Sequence, residues 1–248
     1  MESLTALEWI FLGLVVLVAL SVRGSAGFGG QAVAVPLLAL VIPLPEALAV
    51  MVVLAVLSAL GQLRRDWRRI AWPEIRRLLP YSVVGVLIGL YLLERIDLAV
   101  LVKAFGAFVI LYGLFALATA SRPVMIPARA LYVAGALVAM FAGAMGATFG
   151  AAAGPLYVIY LNARRLERDV FRVTITMILT IQGTLRIAGY ARLGFFDETT
   201  FILVVAGIPL TVLSVVFGNW LSGRLDQRVF NLCIGCLLLV SGTALLLK

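Results

Sequence analysis

The chain has 248 residues, of which 63% are hydrophobic and only 13% charged, with a mean hydropathy of +1.12. A soluble domain is about half apolar and about a quarter charged, and a chain of this length cannot bury so much apolar surface on its own, so a soluble enzyme is excluded and an integral membrane protein is implied. Twenty Lys and Arg against twelve Asp and Glu give +8, which is read first as loop charge, because basic loops orient membrane proteins.

The N-terminus carries Glu2 and Glu8 and no basic residue before its apolar run. That is the reverse of a secretory leader, so the run is taken as the first membrane segment. Ten apolar segments follow in order: Trp9–Val22, Gln31–Leu44, Ala47–Leu63, Leu78–Leu93, Leu98–Ala118, Ala130–Met145, Ala151–Leu161, Val170–Ala188, Phe201–Leu221 and Val229–Leu247. A helix needs about 20 residues to cross the hydrocarbon. Most segments approach this with their flanks, but the second and seventh fall short, and each follows a glycine-rich stretch. The runs are continuously apolar and do not alternate, so an all-α bundle is predicted rather than a barrel.

The segments read as two related fives, residues 1–120 and 121–248. At one offset Arg95, Asp97, Gly106 and Gly113 match Arg224, Asp226, Gly235 and Gly242. At another, Gly24, Gly27 and Pro36 match Gly143, Gly146 and Pro155, while Gln62 and Gln182 align with a slip of one. Agreement of glycines, prolines and charges, and not only of leucines, marks an internal repeat. An odd number of spans per repeat inverts the second copy. With the N-terminus outside, fifteen of the basic residues fall inside and Arg95, Lys103, Arg186, Arg192 and Lys248 fall outside, as the positive-inside rule requires. The loop after segment two has no basic residue, whereas its counterpart after segment seven has Arg164, Arg165 and Arg168.

No soluble domain is visible. The longest polar stretch, Arg64–Arg77, holds Trp67 and Trp72 among its arginines. It reads as a segment at the cytoplasmic headgroups of the lipid bilayer rather than as a nucleic-acid site. The chain has no histidine, so no His-ligated metal and no Ser-His or Cys-His dyad can form. Cys233 and Cys236 lie in an apolar run with nothing near them to activate a thiolate, and they read as packing residues. No cofactor is expected, and nothing in the sequence speaks to oligomeric state. All twelve acids sit at segment ends or in loops, which disfavours a cation carrier and an aspartyl intramembrane protease.

Short or glycine-broken segments at matching places in two repeats point to the substrate site of a transporter. Here they are Gly24–Gln31, running on to Pro36, and Gly143–Gly150, running on to Pro155. Each precedes a short helix whose N-terminal amides and dipole suit an anion. The alternative is that small residues merely let helices pack closely. The candidate site residues are Gly27, Gly29, Gly30, Gln31, Gly146, Thr148, Gly150, Gln62, Gln182, Arg23 and Arg186. Gln182 and Arg186 share one helix face, and Thr176, Thr180 and Thr184 share another. The competing readings are back-bonding for the threonines, interhelical bonding for the glutamines and snorkelling for the arginines.

Gly27-Phe28-Gly29-Gly30 followed by Val35-Pro36-Leu37-Leu38 resembles the first-repeat signature of the TauE/SafE family of sulfite exporters and related anion permeases. The turn Pro43-Leu44-Pro45-Glu46-Ala47, the helix after it and the Arg-rich loop fit the same pattern. Gly150 to Gly154-Pro155-Leu156 and Tyr160-Leu161-Asn162 look like the second copy. The order of these features carries the match over nearly the whole chain. Gln31 and Ala152 stand where the family often has glycine. The resemblance implies movement of small sulfur-containing or carboxylate anions across the inner membrane. An intramembrane serine protease at Ser25 lacks the usual base, since only Lys103 and Lys248 could serve. A non-transporting scaffold would tolerate valine at Gly30 or Gly150, which a transporter site would not.

Overall fold

The computed structural model describes residues 5–119, 130–150, 153–164, 166–221 and 227–247. These form ten α-helices: α1 (Ala6–Ala26), α2 (Gly30–Leu38), α3 (Leu44–Asp66), α4 (Trp72–Arg95), α5 (Leu98–Thr119), α6 (Leu131–Phe149), α7 (Ala153–Ala163), α8 (Arg168–Arg192), α9 (Glu198–Leu221) and α10 (Gln227–Leu247). A 3-10 turn over Trp67–Arg69 joins α3 to α4, and there is no strand among the described residues. Six helices, α1, α3, α4, α6, α8 and α9, are long and apolar enough to cross a membrane. The second and seventh are short as expected, at 9 and 11 residues, or roughly 14 and 17 Å at 1.5 Å per residue.

Helix ends follow local chemistry. Thr5 and Glu8 form a capping box at the start of α1, which satisfies two otherwise orphaned amides. Prolines in the first turns of α3 and α4 occupy positions where a missing N–H costs nothing. The Asp197 carboxylate accepts the Thr200 amide at 2.8 Å at the start of α9. The Thr200 amide and hydroxyl hold Asp197 below its usual carboxylate range.

The predicted breaks are narrower than the glycine runs. α1 continues through Gly24 to Ala26, and the chain turns only at Gly27 and Gly29, with φ of 85° and 90°. α6 continues through Gly143 and Gly146 and ends at Gly150, with φ of 67°. Gly24 and Gly143 are therefore helical, and they serve close packing. A Cβ at Gly143 would fall on the Ser82 carbonyl oxygen of α4, and one at Gly85 of α4 on the Met140 carbonyl oxygen of α6. Gly24 meets Gly218 of α9 in the same way, with a Cβ 3.4 Å from its Cα. Without water to expel, helices in lipid associate through such backbone approach.

The helix pairings repeat with a shift of five. α4 on α6 corresponds to α9 on α1, α3 on α9 to α8 on α4, and α1 on α2 to α6 on α7. α3 packs on α8, its own counterpart, and α5 on α10, where Gly106 and Gly242 face each other. Two apolar clusters result. One centres on α1, α2, α3 and α5 and takes in residues of α9 and α10 and the ends of α4, α6 and α8; the other lies among α4, α6, α7 and α8.

Ion pairs join the two Arg-rich loops at one end of the bundle. Arg69 meets Asp169 at 2.7 Å and Arg172 approaches Asp66 at 3.6 Å. Glu46, in the first turn of α3, and Asp197, just past α8, stand at the ends of these two helices away from the Arg-rich loops.

Candidate functional site

The site is organised by α8, which carries buried polar groups on two faces: Thr176 and Thr180 on one, Gln182 and Arg186 on the other. The threonines bond to their own helix. Thr176, Thr180 and Thr184 donate to the carbonyls of Arg172, Thr176 and Thr180 at 2.8, 2.7 and 3.0 Å. The back-bonding reading therefore holds for all three.

Arg186 lies in the interior at 4% exposure and does not snorkel. Its Nη1 donates to the Gly146 carbonyl, and its Nη2 donates to Gln31 Oε1 at 2.9 Å, in the first turn of α2. One guanidinium thus ties the end of α6 to the start of α2, the two elements that the glycine motifs singled out. Arg23, 5% exposed near the end of α1, packs on the start of α2, where a Cβ at Gly30 would lie 3.0 Å from the Arg23 Cβ. Neither arginine has a carboxylate within ion-pair distance among the described residues. Arg186 Nε and Gln31 Nε2 are buried donors without an acceptor. Two buried cations and two open N–H donors, without an acid partner among the described residues, are groups that an acceptor-rich anion would satisfy.

Glycine serves this cluster through its backbone. A side chain at Gly30 would strike the Ala19 carbonyl oxygen of α1, and one at Gly27 would lie 2.9 Å from the Arg172 carbonyl oxygen. Gly29 takes the left-handed conformation immediately before α2. At Gly150 the backbone is left-handed, and a Cβ would press on Leu48. A Cβ at Gly146 would crowd Ala153 Cβ at 3.3 Å and sit 3.7 Å from Arg186 Nη1 and 3.9 Å from Gln182 Oε1.

The remaining candidates go elsewhere. Gln182 donates both amide hydrogens, to Ser82 Oγ at 2.7 Å and to the Tyr157 hydroxyl at 2.8 Å. It thereby joins α8 to α4 and α7, while its oxygen faces Gly146. Thr148 donates to the Gly89 carbonyl of α4 at 3.2 Å. Gln62 does not reach Arg186. Its Oε1 lies 3.5 Å from Thr176 Oγ1, ten residues and roughly 15 Å along α8 from Arg186. Gln62 Nε2 is also buried without an acceptor.

Sequence reasoning missed the tyrosines and one acid. Tyr190 donates to the Ala147 carbonyl at 2.7 Å, beside the Arg186 contact. Glu74, 4% exposed, accepts Tyr160 Oη at 2.8 Å and Arg164 Nε at 2.7 Å. Acids interleaved in the two Arg-rich loops were the available signal for that pair.

A bundle of apolar helices with a short, glycine-hinged helix in each half and buried cations between them defines a polytopic membrane carrier. The family model "Sulfite exporter TauE/SafE" matches residues 12–245, nearly the whole chain, and the protein belongs to that family. It is similar to the "Probable inner membrane transporter protein TsaS" of Comamonas testosteroni, with 26% identity over 182 residues, which cover 73% of this chain and 74% of that protein. No solved structure matches. The chain is accordingly a membrane transporter.

Proposed function

We propose that the protein carries a small oxyanion, sulfite or an organosulfonate, across the inner membrane. The anion binds at Arg186, Gln31 and Arg23, between the end of α6 and the start of α2. The repeats 1–120 and 121–248 move against each other to expose this site to either side in turn. One observation carries the reading: two buried guanidinium groups lack a carboxylate partner among the described residues, and open N–H donors lie on Arg186 and Gln31. A sulfur oxyanion has three acceptor oxygens, and it supplies both the missing charge and the missing acceptors. The first turn of α2 adds backbone amides and the positive end of a helix dipole. The family description names sulfite export, and the name of the Comamonas testosteroni relative describes an inner membrane transporter.

A panel of sulfite, sulfonates and small carboxylates, tested for flux in liposomes holding the purified protein, decides the substrate. Sulfite or sulfonate flux should exceed that of empty liposomes. Arg186→Gln should reduce it by about tenfold or more, since it removes charge-assisted hydrogen bonds worth about 1.5–3 kcal/mol. Flux of both sulfur anions equal to the empty-liposome value refutes the proposal. Transport of carboxylates alone leaves the site in place and changes the substrate.

A further inference from the structure

A groove of about 440 Å³ opens on the outer surface where α3 ends and α4 begins, against α8. Leu60, Leu63, Met177, Trp67, Trp72 and Arg64 contribute to its wall. The groove is not a route to the Arg186 site, because its lining is mostly apolar and an anion crossing it would be desolvated without compensation.

Its geometry matches a lipid. Leu57, Leu60, Arg64 and Trp67 are spaced three, four and three residues apart, so they share one face of the α3 end and its continuing turn. Leu57 and Leu60 are exposed at 37% and 47%, and Trp67 and Trp72 at 56% and 37%. The face runs from apolar (Leu57, Leu60) to basic and aromatic (Arg64, Trp67) over roughly 15 Å of rise, so an arginine and a tryptophan stand together beyond the apolar stretch, as interface and headgroup require. The charge is also unspent. Asp66 is engaged by Arg65 and Arg172, and Asp169 by Arg69. Arg64 and Arg68 have no carboxylate partner among the described residues. Of these two, only Arg64 lines the groove.

We propose that the groove binds one anionic phospholipid, with an acyl chain along Leu57 and Leu60 and the headgroup phosphate on Arg64. The proposal does not depend on which anion the protein carries.

Quenching of tryptophan by brominated lipids tests it. The chain has four tryptophans, so a Trp9→Phe, Trp220→Phe background leaves Trp67 and Trp72 as reporters. In phosphatidylcholine vesicles, a small fixed fraction of brominated phosphatidylglycerol should quench more than the same fraction of brominated phosphatidylcholine. A charge at this depth corresponds to about fivefold in relative association. Arg64→Gln should erase the preference and Leu60→Glu should do the same, while Arg68→Gln should keep it. Equal quenching by the two lipids in the parent overturns the proposal. So does a preference that falls as much with Arg68→Gln as with Arg64→Gln, which is diffuse attraction to a basic loop. Arg64 and Leu60 are exposed, and circular dichroism of each variant confirms that the fold is retained.

Discussion

Gln182 and Arg186 sit one helical turn apart, yet their hydrogen bonds differ in kind. Gln182 gives both amide hydrogens to protein partners on two other helices. Arg186 keeps one N–H open. The first pattern suits a brace, and the second suits the binding role proposed for Arg186. Gln182→Leu should therefore lower stability, because Ser82 Oγ and the Tyr157 hydroxyl lose their partner in a medium without water. Interhelical hydrogen bonds in membranes average about 0.6 kcal/mol and reach about 1.7, so two lost bonds amount to roughly 1–3 kcal/mol. Chemical denaturation in detergent reads this, and anion affinity per folded molecule should stay within about threefold of the parent, a difference below 1 kcal/mol. A tenfold loss of affinity with unchanged stability would instead place Gln182 on the substrate.

At the scale of elements, the glycines divide into two groups that the sequence does not distinguish. Gly27, Gly29 and Gly150 hold left-handed backbone. Gly24, Gly85, Gly89 and Gly143 lie inside helices, where a Cβ would meet a neighbouring backbone. A Gly143→Val change drives a branched side chain into the α4 backbone, so neither partner can move aside by a rotamer change. It should cost more than the roughly 1–3 kcal/mol of ordinary overpacking, measured as a fall in the unfolding midpoint and in folded yield. Gly61→Val, at a glycine with nothing within 4 Å, should change stability by no more than about 0.5 kcal/mol. The contrast matters because both substitutions are in helices and carry the same propensity term. Helix number, the two short helices and the pairing of halves were legible because hydropathy, glycine and charge are local properties of the chain. The limits of the breaks were not, since Gly24 stays helical through its contact with Gly218, far along the chain. Nor was the separation of Gln62 from Arg186, which depends on where α3 crosses α8. Tyr190 bonding to Ala147 leaves no sequence pattern at all.

For the whole molecule, the decisive relation is which loops share a face. Arg69 and Asp169, Arg164 and Glu74, and Arg172 and Asp66 place the loop after α3 beside the loop before α8. The exposed pair among them contributes roughly 0–1 kcal/mol, so it reports sidedness rather than stability. α3 and α8 therefore leave this face and reach the opposite one, where α3 begins beside Glu46 and α8 ends short of Asp197. From the excess of arginine on the shared face we propose that it is cytoplasmic and that the N-terminus lies outside. Single cysteines at Arg68, Arg168 and Glu198, in a background lacking Cys233 and Cys236, test both statements with a membrane-impermeant maleimide. Arg68→Cys and Arg168→Cys should label only in inside-out vesicles, and Glu198→Cys only from the periplasmic side. If all three labels are exchanged, the loops still share a face but the orientation is reversed. If Arg68→Cys and Arg168→Cys label from opposite sides, α3 and α8 do not pair as described, and a site held between the halves has no structural basis.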